Sequence, residues 1–513
     1  MPSSTPLSLV DTAWYQMEDP TNLMMVTSVM LFRERVEFEK LKQLLAARLL
    51  KYDRFTMKVV ESNRPLAHPQ WERDSKFNLN AHVQHIALPA PGGQAELQAF
   101  ASTQMSTPLD FSKSPWQITL VDNFGEGSAV FVRFHHCMAD GMAGVQVLFD
   151  LSDFTADAPL VRASDQMAEK KEKPEKTGWN PFSTLSNALN LGRKVAGAVI
   201  HEGMEAIFNP SQAWEKAQTA ASRATEGAIT TAQLLLLPPD PPTPFKGALG
   251  VQKLAAWSRP LPLEDVRQIS QVLGGKINDV LLSAMAGALR RYLVQHRAFE
   301  VEGLNVRAAV PVNLRSPERA SELGNEFGLV LLPLPVGELD PLERMKELKR
   351  RMDAIKDSPE ALITFGILGI LGMATTPAQV AEQFMNIMGS KATAVATNVP
   401  GPRFPLYFAG KQVDNIMFWV PQSGRLGLGI SIFSYNGQVT LGVGTDAGLI
   451  PDPDHIIEAF YEEFESLLEL VRQAEVYEEV PATADHCHAT TKAGTPCKNK
   501  PLAGSTYCRV HSQ

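Results

Sequence analysis

Two adjacent histidines lead into an aspartate and a glycine in the run His135-His136-Cys137-Met138-Ala139-Asp140-Gly141, the part of this chain best equipped for chemistry. Neutral imidazole has a pKa near about 6.5, so a positioned histidine can take up and return a proton at neutral pH. Residues 129–134 form an apolar run read as a strand, and the residues after the pair read as a loop opening a helix through Val145, Leu148 and Phe149. Neighbouring side chains on a strand point to opposite faces, so one histidine is expected to face substrate and the other to support it, with no shared metal. Asp140 stands where its carboxylate could cap the following helix, or take a direct part in the site. Cys137 has no nearby partner in sequence to argue for a nucleophile and reads as a buried filler. A lone histidine is more often structural, but this pair with its aspartate and glycine favours catalysis.

Other common machineries are missing. There is no G-x-S-x-G elbow and no G-x-G-x-x-G, and the glycine pair before Lys276 lacks the first glycine of a phosphate-binding loop. Serine hydrolase, nucleotide triphosphatase and dinucleotide readings lose support. A second cluster lies far from the first. Cys487, Cys497, Cys508 and His511 crowd the C-terminal tail, and Cys508 and His511 form a close C-x-x-H pair. Three thiols and an imidazole suit a tetrahedral zinc site, and a tail this short has too few apolar residues for a core of its own. A structural zinc is the expectation, against a disordered tail with free thiols or a disulfide. Lys492, Lys498, Lys500 and Arg509 make the same segment basic.

The elements that must position these groups follow from composition and pattern. The chain has 513 residues, 44% hydrophobic and 20% charged, which is an ordinary globular composition spread over more than one core. A net charge of −8 offers no positive field for nucleic acid. Asp11, Glu18 and Asp19 interrupt the early apolar residues, which argues against a signal peptide and for a cytoplasmic protein. The apolar run 361–374 falls short of the roughly 20 residues that a spanning helix needs. It reads as a core helix, or as a segment that docks peripherally on a membrane or lipid droplet.

Residues 26–32 read as a strand, 169–176 as a charged linker, 182–208 as an amphipathic helix and 454–472 as a closing helix. The proline-rich stretch 237–247 can be neither helix nor central strand and reads as an extended crossover. The expected organisation is a mixed α/β protein with an N-terminal domain over 1–178, a linker over 179–247, a C-terminal domain over 248–475 and a tail over 476–513.

The H-H-x-x-x-D-G run matches the motif of coenzyme A-dependent acyltransferases and peptide-synthetase condensation domains. Further segments narrow this: Ser114-Pro115-Trp116, Asn278-Asp279, Pro311-Val312-Asn313-Leu314-Arg315 with Gly324-Asn325, and Asn398-Val399-Pro400-Gly401-Pro402. In type and order they resemble the bacterial wax ester synthase/diacylglycerol acyltransferase family, as does 427–452, so the resemblance covers residues 5–475. Two local departures bear on packing or substrate preference: the family commonly has P-L-W at Ser114-Pro115-Trp116, and Met-His-Val at Met24-Met25-Val26.

That resemblance implies two chloramphenicol acetyltransferase-like domains with a tunnel between them, open to acyl-CoA at one face and to alcohol at the other. It implies a fatty acyl transfer to diacylglycerol or a long-chain fatty alcohol, with no covalent acyl-enzyme and no cofactor needed for catalysis. His136 would be the general base, His135 would orient the loop or line the acyl passage, and Asp140 would hold the loop through an arginine such as Arg315. Asn278 would support the oxyanion, although Asn278 or Asp279 could equally cap a helix over 280–295. Trp116 and Gly141 would line the substrate passage, Trp116 also fitting a plain core position. Asn398 to Pro402 reads as a stiff turn. Two other functions compete: a condensation-type enzyme using a carrier protein or an amine acceptor, and a non-catalytic lipid-binding protein.

Overall fold

The computed structural model describes residues 4–61, 68–160, 236–315, 323–356, 360–371, 389–422 and 426–479, a few isolated residues beside these stretches, and scattered residues within 487–511. The expected linker at 169–176 and helix at 182–208 lie outside the described residues.

A strand at the centre of a sheet is covered on both faces, and eight of the nine residues of Gly127–His135 are buried. It sits at the centre of a five-stranded sheet whose spatial order is Asn415–Trp419, Met25–Phe32, Gly127–His135, Trp116–Phe124 and Val83–Ala87. The outermost member comes from the other end of the chain. Ile416 lies opposite Met30 and Phe418 opposite Ser28 in an antiparallel pair. All five residues of Asn415–Trp419 are buried, so this segment is stable only where both of its faces are covered. The sheets therefore do not follow a division at residue 248, because a strand of the C-terminal half completes the N-terminal sheet.

The second sheet runs in the order Phe327–Leu334, Val306–Asn313, Ala394–Pro400, Leu428–Tyr435, Gln438–Asp446 and Lys253–Trp257, with the short strand Leu261–Pro262 beside Gln438–Asp446. Helices Ile277–Arg297 and Asp454–Glu479 pack on it around a core that includes Leu281, Met285, Ile430 and Phe460. The closing helix is longer than its apolar periodicity indicates. The proline-rich stretch is irregular, and Asp240 within it is held by the backbone amide of Arg307 at 2.9 Å and by the Arg307 guanidinium at 3.2 Å.

Helix Glu360–Leu371 covers an otherwise open sheet edge. Thr364 Oγ1 accepts the Leu329 amide at 2.7 Å and Glu360 Oε1 accepts the Leu331 amide at 2.8 Å, so side chains take the place of a further strand. The approach is so close that a Cβ at Gly328 would lie 1.7 Å from the Ala361 carbonyl oxygen. Ala361, Leu368 and Leu371 are buried, whereas Leu362 is 61% exposed. Among the described residues, no single helix is long and apolar enough to cross a membrane.

Candidate active site

The central strand continues its ladder one residue past its end. Met25 pairs with His135, and the His136 amide donates to Met24 O at 2.7 Å before the chain turns into helix Gly141–Leu151. Strand alternation then separates the two rings. Val132 and Phe134 line an apolar cavity, while Phe131 enters the core cluster on the opposite face.

Hydrogen-bond accounting assigns different chemistry to each histidine. His135 Nδ1 accepts the Cys137 amide at 3.2 Å, so its proton sits on Nε2, which faces Glu18 Oε2 at 3.3 Å. Both nitrogens are thereby committed. His136 Nδ1 lies 2.7 Å from Asn325 Oδ1. The Asn325 amide nitrogen donates to Asp11 Oδ1 at 2.8 Å and to His136 O at 2.7 Å, which turns its oxygen toward the ring and makes His136 Nδ1 the donor. The basic lone pair of His136 is left on Nε2.

The His136 ring stacks on Trp14 at 4.2 Å and 18°. Burial pushes this imidazole down to about 4 and neighbouring His135 acts in the same sense, against the opposing Asn325 bond, so the ring is neutral at pH 7.

Asp140 is a helix cap and also pairs with an arginine. Its Oδ1 caps helix Gly141–Leu151 by accepting the Ala143 amide at 2.9 Å, and its Oδ2 pairs with Arg315 at 2.7 Å and accepts the Glu326 amide at 3.1 Å. Burial raises this carboxyl, while the Ala143 amide and the Arg315 charge pull it back. Arg54 braces the loop from behind, donating to Met138 O at 2.7 Å and pairing with Asp11 at 3.1 Å. Cys137 is fully buried, as its small apolar neighbourhood suggests, and burial raises its thiol well above the ordinary range.

Beside the loop lies a cavity of about 960 Å³. Trp116, Phe134 and Gly141 line it from the N-terminal half, and Val399 and Phe433 from the C-terminal sheet. Trp116 is both wall and core: it is 2% exposed, and its indole nitrogen donates to Phe55 O at 2.9 Å.

Asn278 lies elsewhere. It accepts a hydrogen bond from Asn398 and lines a separate cavity of about 770 Å³ with Pro400, Gly401 and Arg403. Nor is it a cap, because the helix begins at Ile277 after Lys276, whose amide is held by the Asp279 carboxylate at 2.8 Å. The stretch from Asn398 to Pro402 is not the expected turn: its first three residues are strand, and Gly401 and Pro402 extend the pairing through Gly401 N to Ser434 O and Asn436 N to Pro402 O, both at 2.8 Å. A Cβ at Gly401 would meet Ser434 O at 2.4 Å, which explains the glycine.

Asp11, Trp14, Arg54 and Asn325 escaped the sequence reading as site residues. Asn325 had one signal, its place in the Gly324-Asn325 pair. Asp11 and Trp14 had only their three-residue spacing on helix Leu9–Gln16, where a fully buried aspartate on an apolar face needs a partner. Far along the chain, the structure also brings Cys487, Cys497, Cys508 and His511 together.

The two mixed α/β halves, with the histidine loop held between them, agree with the two-domain, chloramphenicol acetyltransferase-like fold that the motif resemblance implies. Residues 7–281 match the wax ester synthase/diacylglycerol acyltransferase catalytic domain and residues 323–468 match the C-terminal domain of the same family. The chain belongs to that family and is an acyltransferase.

It is similar to O-acyltransferase WSD of Acinetobacter baylyi, at 27% identity over 77% of this chain and 82% of that protein. It is also similar to the "Probable diacyglycerol O-acyltransferase tgs1" of Mycobacterium tuberculosis, at 26% identity over 84% of this chain and 88% of the relative. Among solved structures, the wax ester synthase/diacylglycerol acyltransferase from Marinobacter aquaeolei VT8 shares the fold with a TM-score of 0.63 at 20% identity, covering 92% of this chain and 100% of that one. The first condensation domain of the calcium-dependent antibiotic synthetase shares it with a TM-score of 0.55 at 14% identity, covering 92% of this chain and 96% of that one.

Proposed function

We propose that the chain transfers a fatty acyl group from acyl-CoA to the hydroxyl of diacylglycerol or a long-chain fatty alcohol, making triacylglycerol or wax ester, with His136 as general base. The observation that carries this reading is the difference between the two rings. His135 has both nitrogens engaged, whereas His136 is neutral, oriented through Nδ1 and basic at Nε2. The acceptor hydroxyl gives its proton to His136 Nε2 as its oxygen attacks the thioester carbonyl. The tetrahedral oxyanion collapses, the carbon–sulfur bond breaks, and the imidazolium returns the proton to the CoA thiolate. No covalent acyl-enzyme intervenes. Such proton transfer is worth roughly 10² to 10⁴ in rate. Asn325 and Asp11 hold the ring, and Asp140 with Arg315 holds the loop.

The cavity beside the loop supports a long acyl chain. Each methylene moved from water into an apolar wall gains roughly 0.8 kcal/mol, so a lining such as Trp116, Phe134, Val399 and Phe433 favours a fatty chain over a short one. Asn278, in its separate cavity, is assigned no proton or oxyanion; its bond to Asn398 ties a helix to a strand. The acceptors are insoluble in water, so the enzyme works in the cytoplasm at a membrane or droplet surface, with exposed Leu362 on helix Glu360–Leu371 as the contact.

The test incubates purified protein with palmitoyl-CoA and, separately, hexadecanol, dioleoylglycerol or hexadecylamine, following CoA release and product. Ester formation with the alcohols is expected. Turnover with the amine alone would replace this reading with the condensation type, and none with any acceptor would leave a lipid-binding protein. Leu362→Asp should weaken liposome co-sedimentation while sparing turnover of a soluble alcohol.

A further inference from the structure

The tail is arranged by its own backbone. Cys487 N donates to Asn499 O, Cys497 N to Ala489 O and Thr491 N to Thr495 O, each at 2.8 Å, which lays out a short hairpin. Gly494 at φ 76° closes its turn, a backbone that glycine adopts without strain. A second turn, with His511 N on Cys508 O at 2.9 Å, brings the C-x-x-H pair back over the hairpin.

The four side chains converge on one point. His511 Nδ1 lies 3.4 Å from Cys487 Sγ and 3.3 Å from Cys508 Sγ, and Cys497 Sγ lies 3.9 Å from Cys508 Sγ. All four ligand atoms fall within 4.8 Å of one another. Zinc bonds of about 2.3 Å to sulfur and 2.0–2.1 Å to nitrogen, placed tetrahedrally, require edges of about 3.8 Å between sulfurs and about 3.6 Å between sulfur and nitrogen. The observed edges agree to within a few tenths of an ångström. A disulfide requires about 2.05 Å between sulfurs, far below the 3.9 Å found here, and all three cysteines are free.

We propose that Cys487, Cys497, Cys508 and His511 bind one structural zinc ion through three thiolates and His511 Nδ1. The three cysteine side chains, with Ala489 packed against them, are themselves the core of this segment. A cation bound at their centre would tie the three buried sulfurs and the imidazole to one another. Four protein ligands close the coordination sphere and leave no position for water or substrate, so the ion shapes the tail and takes no part in transfer. Thiolate and imidazole ligands select zinc over the oxygen-seeking magnesium and calcium. Asn499 Nδ2 donates to Cys508 Sγ at 3.7 Å, an outer bond that orients a ligating thiolate.

The full-length chain, purified without chelator and kept reduced, is assayed for metal by elemental mass spectrometry. About one zinc per chain is expected, falling by at least about tenfold in Cys497→Ser and Cys508→Ser. Exchange with cobalt(II) should give sulfur-to-cobalt charge-transfer absorption with tetrahedral d–d bands, a readout on the unmutated chain that stands even where a variant fails to fold. No retained zinc after reconstitution, no tetrahedral cobalt spectrum, or a disulfide among the three cysteines in anaerobically isolated protein would each overturn the assignment.

Discussion

The histidine loop and the cysteine tail both gather reactive side chains, but from very different distances along the chain. His136 finds Asn325 at a separation of 189 residues, and Asp140 finds Arg315 at 175. His511 meets Cys487 at a separation of 24 residues and Cys508 at 3. The loop is therefore only as ordered as the packing of both halves of the molecule, whereas the tail can be ordered by its own hairpin and ligands. Damage to one should leave the other intact.

The largest break in that comparison comes from His136→Ala. It is expected to lower acyl transfer by about two to four orders of magnitude while the zinc content of the tail is unchanged. CoA release and metal analysis on the same preparation check both halves of the statement. Near-normal turnover in a folded variant would remove His136 from the mechanism.

Asp140→Ala acts through the fold. It deletes a helix cap and takes from the Arg315 guanidinium, only 4% exposed, its 2.7 Å ion pair, leaving it the Gly324 carbonyl at 2.8 Å and Glu326 at 3.8 Å. A loss of roughly 1–3 kcal/mol in urea unfolding is expected, together with lost activity. An inactive variant with an unchanged unfolding midpoint would instead point to direct chemistry by the carboxylate.

Asn325 should have a smaller effect. Asn325→Ala frees the ring to tilt, and misplacement of about 1 Å can cost on the order of 10²-fold in turnover. The pH profile gives a sharper test. As the proposed base, His136 would work only when neutral, and burial pushes it down to about 4, so activity should persist on acidification until near that value rather than failing at the ordinary histidine pKa of about 6.5. Asn325→Asp would place a carboxylate against Nδ1, stabilise the imidazolium and move the acid limb upward. An unmoved limb would disconnect Asn325 from the reacting ring.

The smallest effect is predicted for removal of residues 483–513. Zinc should be lost entirely while transfer stays within about twofold, as for independent sites. A tenfold fall in turnover would show that the two regions are coupled after all.

The amino-acid sequence by itself determined what depends on near neighbours. Strand alternation separates His135 from His136, a carboxylate one residue before a helix caps it, and the four tail ligands lie within a separation of 24 residues. These follow from backbone geometry repeating every two or 3.6 residues. The pairing of Asp140 with Arg315 was legible only through resemblance to a family, because nothing local distinguishes that arginine.

Tertiary structure alone decided the rest. Asn415–Trp419 joins the N-terminal sheet, Asn278 lies in a cavity of its own, and Asp11, Trp14 and Asn325 enclose His136. Closing a long loop costs little more than closing a short one, so separation along the chain neither favours nor forbids such meetings. They are selected by which buried faces and unpaired polar groups fit one another once both halves have packed, a property of the whole fold that no window of sequence contains.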